Sequence, residues 1–97
     1  MIKHIVSFKL KGSEKERREA AEKFRDALMD LPGKVPSLKE IEVGINLNPA
    51  EKWDLVLTAL VEDMEGLEAY ANHPLHIEAA SIIRDCKEDR ACVDYEI

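Results

Sequence analysis

Residues 70–76 read YANHPLH and hold the densest group of side chains able to do chemistry in this chain. The 97 residues include three histidines and two tyrosines, and His73, His76 and Tyr70 all fall in this stretch. An imidazole exchanges protons near neutral pH, and a phenol donates a hydrogen bond. The chemistry indicated is proton transfer, or recognition of a polar group on a small molecule.

A helix boundary also explains part of the stretch. Pro74 fits the first turn of a helix, which places His73 at the N-cap, where a structural role is favoured. His76 shares a stripe with Ala80 and Ile83, and this stripe should face the sheet. The helix dipole at that end lowers an imidazole pKa, so a neutral His76 could act as a general base.

Two further polar groups should point into the same layer. Tyr70 lies on the sheet-facing side of the preceding helix, and His4 lies on the apolar face of the first strand, Ile2–Leu10. With His76, they either form a site or form a satisfied hydrogen-bond cluster that fixes the helix junction. The spacing alone leaves both interpretations open.

Other chemistries are disfavoured. Pro74 separates His73 from His76, and their side chains should diverge, which argues against a shared metal. The two cysteines do not form a CxxC pair, and Cys86 should end a helix, where the dipole raises a thiol pKa. No glycine-rich phosphate loop is present. We expect two free thiols, no metal site and no cofactor.

Composition limits the partners. The net charge is −6 and the pI near 5.0, whereas nucleic acid and anionic membranes require a basic surface. No stretch approaches the roughly 20 apolar residues of a membrane span, and the N-terminal segment is too regularly charged for a signal peptide. We expect a cytoplasmic protein formed by a single domain, residues 1–97, without nucleic-acid or membrane partners.

Periodicity predicts a β-α-β-β-α-β order. Ser13 and Glu16 form a capping box at the start of the first helix, and Asn72 suits a left-handed position between the two pieces of the second. The predicted strands cover residues 2–10, 38–47, 52–62 and 88–97, and the helices cover 13–31, 63–71 and 74–86. This is an α+β, ferredoxin-like antiparallel sheet with its helices on one face.

The third strand predicts a partner subunit. It is apolar on both sides, with one set facing the helices and the other facing away, so something must cover the second face. The two sets are Trp53, Leu55, Leu57, Ala59 and Val61, and Val56, Thr58 and Leu60. Because a chain this short builds a modest core, a homodimer through the sheet faces is the expected solution.

Several segments together resemble a known family, the stress-responsive dimeric α/β-barrel (Dabb) proteins. They are MIKHIVSFKLK at the start, EVGIN at 42–46, DLVL at 54–57, YANHPLH at 70–76 and CVDYE at 92–96. The resemblance covers nearly the whole chain. It implies a ferredoxin-like fold whose sheets close a barrel between two subunits. The inner barrel face would carry Ile5, Ser7, Val56, Thr58 and Leu60.

The family includes a plant branch of polyketide cyclases, which close a linear poly-ketone acid by aldol condensation. The resemblance to that branch implies Tyr70 and His76 as an acid/base pair and His4 as a pocket residue. The third strand differs, because Asp54 stands where the cyclases have a histidine. Cofactor-free monooxygenases are related barrels and offer a second enzymatic analogy by fold.

The resulting prediction is a homodimer of unassigned activity that binds a small organic molecule between helices and sheet. The pocket residues predicted are His4, Val6, Phe8, Phe24, Leu28 and Ile83. The alternative is a cofactor-independent enzyme, in which His76 removes a proton alpha to a carbonyl and Tyr70 donates a hydrogen bond to the enolate. The enzyme requires an open space beside Tyr70 and His76 rather than a packed one.

Overall fold

The sheet has four antiparallel strands in the order β2-β3-β1-β4, and the computed structural model describes residues 1–97. The strands are β1 (Ile2–Leu10), β2 (Leu38–Ile45), β3 (Leu55–Val61) and β4 (Lys87–Glu96). The helices are α1 (Glu14–Met29), α2 (Met64–Ala71) and α3 (Pro74–Ala80), followed by a 3₁₀ turn at Ser81–Ile83. The predicted ferredoxin-like arrangement is confirmed.

The core fills the layer between the helices and one face of the sheet. Strand side chains alternate between buried and more exposed positions, as the period of two requires. The buried face of β1 carries His4, Val6, Phe8 and Leu10, and that of β3 carries Leu55, Leu57, Ala59 and Val61. Phe24 and Leu28 of α1 pack against them in one apolar cluster. These positions are the ones that the alternation predicted.

Local capping explains where the first two helices begin. Ser13 and Glu16 form the predicted capping box, with each side chain bonded to the other residue's backbone N–H. Asp63 caps α2 by accepting from the Gly66 N–H at 2.8 Å. Gly12 precedes the first cap at φ +114°, which a side chain would disfavour, and so permits the turn out of β1.

The junction between α2 and α3 differs from the prediction at one residue. Asn72 has φ −92° and stays in the right-handed region, so the predicted left-handed position is wrong. The chain needs no left-handed residue there because the Asn72 and His73 N–H groups already bond to the Glu68 and Tyr70 carbonyls. His73 Nδ1 accepts from the Leu75 N–H at 3.1 Å, which confirms it as the N-cap of α3.

The connection between β2 and β3 is longer than predicted. Strand β2 ends at Ile45, and Leu47 is 80% exposed rather than part of the strand. The reason is the Asn46 side chain, whose amide donates to the carbonyls of Asn48 and Trp53 and whose oxygen accepts from the Asn48 N–H. These bonds close a loop where the alternation suggested continued strand. Likewise, the last helix ends at Ala80 and tightens into the 3₁₀ turn instead of reaching residue 86.

The outer face of the sheet, opposite the helices, is apolar over much of its area. Ile5, Thr58 and Leu60 are only partly covered there, and Val56 is exposed. Strand β4 adds Tyr95 and Val93, the latter 62% exposed. None of the helices has the length and apolar run that crossing a membrane would require.

Candidate functional site

His4 is a buried titratable side chain in the core layer, and its neighbour on β4 accounts for this. It is 8% exposed and lies directly opposite Asp94 in the β1–β4 register. The His4 Nδ1 and an Asp94 carboxylate oxygen are hydrogen-bonded. Because an ionised carboxylate only accepts, Nδ1 donates the proton in this bond. The pair gives the buried imidazole a polar partner, which a histidine in an apolar layer requires.

Tyr70 is the most unusual group in the layer. Its side chain is 1% exposed, and its hydroxyl makes no hydrogen bond within the protein. Burial raises the Tyr70 pKa above its ordinary value, so the hydroxyl stays protonated and can act as a donor. A buried donor without an acceptor costs about 1–3 kcal/mol of stability. The fold therefore carries a free donor that local packing does not explain.

His76 lies beside this hydroxyl-bearing ring. The ring centroids of Tyr70 and His76 are 4.5 Å apart, and those of Tyr70 and His4 are 6.2 Å apart. The His76 Nδ1 donates to the Ala71 carbonyl at 3.0 Å. In the neutral imidazole this leaves Nε2 without a proton and able to accept one. The predicted convergence of His4, Tyr70 and His76 is therefore present in the structure.

The pKa of His76 is lowered, as the sequence predicted, but for a different main reason. Partial burial is the largest cause, and the charges of His4 and Arg90 lower the pKa further. The Ala71 carbonyl opposes them by stabilising the protonated ring. Desolvation of the His76 ring against Tyr70, rather than the helix dipole expected from the sequence, is the main cause. The neutral form of His76 is favoured at neutral pH.

Strand β4 contributes three polar side chains that the sequence argument did not assign to the site. Arg90, Cys92 and Asp94 pair across the ladder with the helix-facing positions of β1, so they share the helix side of the sheet. Cys92 Sγ lies 3.5 Å from His4 Nδ1 and 3.6 Å from Asp94 Oδ1. Burial, and then the Asp94 charge, raise the pKa of the Cys92 thiol. The sequence could have indicated these residues, because the alternation in β4 places polar side chains on the face of the strand that lies under the helices.

The predicted ligand pocket is filled by its own residues. Val6, Phe8, Phe24, Leu28 and Ile83 are all buried in the apolar core cluster. Phe8 and Phe24 meet edge to face, with ring centroids 5.4 Å apart. Periodicity identified the layer correctly, but it gives no measure of how completely large side chains fill it. In this structure these residues form the core rather than the walls of an open cavity.

A cavity of about 360 Å³ lies elsewhere, at the far end of β1. It is lined mainly by polar residues, among them Lys9, Arg17 and Asp54. Asp54 accepts from the Leu10 N–H at 2.7 Å and from Arg17 Nε at 3.2 Å. The carboxylate that replaces the histidine of the cyclase branch therefore links β1, β3 and α1. Tyr70, His76 and His4 do not line this cavity.

The fold and this group of side chains define a ferredoxin-like α+β protein with a Tyr-His-His-Asp cluster, of which Tyr70 and His4 are buried. The sequence profile of the stress-responsive A/B barrel domain (Dabb) matches residues 2–97, and the chain belongs to that family. No curated protein is significantly similar to it in sequence.

Solved structures support the fold. A dimeric protein of unknown function with a ferredoxin-like fold, from Bacteroides fragilis NCTC 9343, is 40% identical and has a TM-score of 0.95, with 99% of this chain and 95% of that chain covered. A dimeric ferredoxin-like protein of unknown function from Thermobifida fusca YX is 29% identical, at a TM-score of 0.82 and coverages of 99% and 90%. A hydroxynitrile lyase from Passiflora edulis, at 19% identity, TM-score 0.77 and coverages of 99% and 92%, shares the fold.

Proposed function

We propose that this chain forms a homodimer that binds a small organic molecule at the cluster of Tyr70, His76, His4 and Asp94. The ligand carries a hydrogen-bond acceptor, such as a carbonyl or carboxylate oxygen, which the Tyr70 hydroxyl recognises. The observation that carries the proposal is the buried Tyr70 hydroxyl without a partner. A binding site would explain why this donor is kept buried at such a cost, because the bound ligand would supply the missing acceptor.

The surroundings of Tyr70 favour entry of the ligand from one side. The core side chains close the layer on the α1 side, while His76 is only half-buried and Arg90 is exposed. The ligand therefore comes in at the edge of the sheet formed by β4, with a shift of the His76 side chain. Arg90 places one guanidinium at this edge, among the carboxylates of β4, and it could pair directly with an acidic or strongly polarised oxygen on the ligand.

The proposed homodimer interface is the outer face of the sheet. An apolar surface of this kind on a small protein marks an interaction site. The relatives from Bacteroides fragilis and Thermobifida fusca are described as dimeric, which supports the same assembly here. The occupant of the face is a second copy of this chain, and the two sheets close a barrel. Both cysteines are free thiols, as a cytoplasmic location would favour.

Replacing Tyr70 with phenylalanine should separate folding from binding. The free protein should become more stable by about 1–3 kcal/mol, because the unpaired donor is removed and the ring is kept. This corresponds to an increase in Tm of about 4 °C or more. In a thermal-shift screen of small carboxylic acids and ketones, compounds that stabilise the wild type should fail to stabilise Tyr70→Phe.

The control for this screen is Tyr95→Phe, which changes a tyrosine on the outer face of β4 and should leave ligand binding intact. A less stable Tyr70→Phe protein would show that the hydroxyl already has a partner in the free fold. A compound that stabilises wild type and Tyr70→Phe equally would place its binding elsewhere. Either result would contradict the proposal.

A second candidate function is catalysis by the same pair, whose ring centroids lie 4.5 Å apart. It requires the His76 side chain to move outward, because the layer beside Tyr70 is packed in the free fold. His76 Nε2 would take a proton from the carbon alpha to a ligand carbonyl, and Tyr70 would donate a hydrogen bond to the enolate oxygen. Such a pair contributes on the order of 10²–10⁴ in rate. To test this, a ligand that stabilises the protein is incubated with it in deuterated water, and NMR measures how fast the ligand's alpha proton is replaced by deuterium. Exchange undiminished in His76→Gln would refute it.

Stability should also depend on pH through His76. Its pKa in the folded state is lowered, so the unfolded chain binds the proton more readily. The full stability is present above about pH 6.5, the ordinary histidine value, and it falls as the pH drops through the folded pKa. His4 and Arg90 face His76 and strengthen the effect. Thermal unfolding between pH 7.5 and 5 should show a steeper decline for wild type than for His76→Gln.

The comparison variant is His73→Asn, which removes the other histidine of this stretch and keeps a capping side chain at the start of α3. Parallel curves for wild type and His76→Gln would show that the ring titrates equally in the folded and unfolded chain.

A further inference from the structure

A cluster of metal-ligating atoms overlaps the candidate ligand site at His4 and Asp94. His4 Nδ1, Cys92 Sγ and an Asp94 carboxylate oxygen all lie within 4.8 Å of one another. The nitrogen, sulfur and oxygen come from three different side chains, each of a type that binds transition metals. The sequence predicted no metal site, because these three residues come together only through the pairing of β1 with β4.

The spacing of these atoms fits a tetrahedral ion. With ordinary zinc bond lengths, a thiolate sulfur should lie about 3.5–3.6 Å from a nitrogen or oxygen ligand of the same ion. Cys92 Sγ lies 3.5 Å from His4 Nδ1 and 3.6 Å from Asp94 Oδ1. Two of the three edges therefore already have the required length. The third edge joins His4 Nδ1 to the Asp94 oxygen. These two atoms must move apart to about 3.4 Å, which breaks their hydrogen bond.

The supporting structure holds the ligands in place. His4 and Asp94 face each other across adjacent strands, and Cys92 is two residues from Asp94 on the same face of β4. Ligands on strands are positioned more precisely than ligands on loops. His4 is buried, whereas Asp94 is exposed and can turn by the small amount that the third edge requires. The cluster is thus fixed on one side and open to solvent on the other.

We propose that His4, Cys92 and Asp94 bind one divalent zinc-class ion per chain, with a fourth position left for another ligand. A thiolate, a carboxylate and a neutral imidazole bring two negative charges, which balance the two positive charges of the ion. The thiolate selects zinc or cobalt over magnesium and calcium, which prefer oxygen ligands. The metal site shares His4 and Asp94 with the proposed ligand cluster, but it does not use the Tyr70 hydroxyl.

Titration of the full chain with Co²⁺ tests the proposal, because a cobalt–thiolate bond gives a charge-transfer absorption band that nitrogen and oxygen ligands do not give. The band should reach its maximum at one Co²⁺ per chain and should disappear when one equivalent of Zn²⁺ is added. Removing groups that only support metal ligands costs about 10–100-fold in affinity. Loss of a ligand itself, in Cys92→Ser or Asp94→Asn, should therefore weaken Zn²⁺ binding at least about 100-fold.

Cys86→Ser is the matched control, because it removes the other partly buried thiol without touching the cluster. It should keep both the band and the affinity. The absence of a band in folded wild type would overturn the proposal, as would a band lost in Cys86→Ser and kept in Cys92→Ser. Asp94→Asn provides a second variant at an exposed position, so a folding defect in Cys92→Ser would not leave the question open.

Discussion

Phe24→Ala is expected to destabilise the protein by about 3–5 kcal/mol, which is a large part of the stability of a domain of this size. Phe24 projects from α1 into the centre of the core, where its ring meets Phe8 edge to face. Removing the ring leaves a cavity and also removes an aromatic contact worth about 0.5–1.5 kcal/mol. Urea denaturation followed by circular dichroism measures the change.

Met29→Ala is the control for this substitution, since it shortens a large apolar side chain at the exposed end of the same helix. It should change stability by less than about 0.5 kcal/mol. A comparably small effect of Phe24→Ala would mean that the layer between α1 and the sheet is not closely packed. Such a result would restore the open pocket that the sequence suggested in this layer.

Val56→Asp should convert the proposed dimer to a monomer. Val56 lies on the outer face of β3, between Ser7 of β1 and Gly44 of β2 in the strand ladders. In a sheet-to-sheet dimer a carboxylate there would be buried without a partner, at a cost of about 3–5 kcal/mol per copy. This weakens association by at least two orders of magnitude. Light scattering should give twice 11.0 kDa for wild type and 11.0 kDa for the variant.

Ile77→Asp provides the comparison, because Ile77 is an exposed apolar residue on α3 rather than on the outer face of the sheet. It should leave the dimer intact. A wild type that is monomeric at micromolar concentration would contradict the dimer itself. A dimer retained by Val56→Asp and lost by Ile77→Asp would move the interface to the helices.

The sequence predicted the elements best where one local rule dominates. Strand β1 matches its predicted range because Ile2, Val6, Phe8 and Leu10 recur on one side of the strand and burial alternates regularly from His4 to Leu10. The start of α1 matches because Ser13 and Glu16 satisfy the free backbone groups within four residues. The β2–β3 loop was missed because the bonds of the Asn46 side chain to Asn48 and Trp53 override the apolar alternation around Leu47.

The candidate site was predictable in part. Periodicity predicted that His4, Tyr70 and His76 all face the layer between the helices and the sheet, and the structure brings their rings together there. Asp94 was missed because its contact with His4 joins positions 90 residues apart and depends on the register of β4 against β1. Strand periodicity gives a side for each residue but not its partner across the ladder.

The central place of β1 in the sheet constrains when the protein can fold. Ile2 pairs with Val61 on one side and with Glu96 on the other. Of the four strands of this sheet, β1 is made first and becomes one of the two inner strands, whereas its second neighbour, β4, is made after the other three. Strand pairings over such long sequence separations form slowly, because the entropy cost of closing the loop must be met before the new contacts stabilise the chain. The His4–Asp94 pair therefore cannot form during synthesis until residue 94 has emerged from the ribosome.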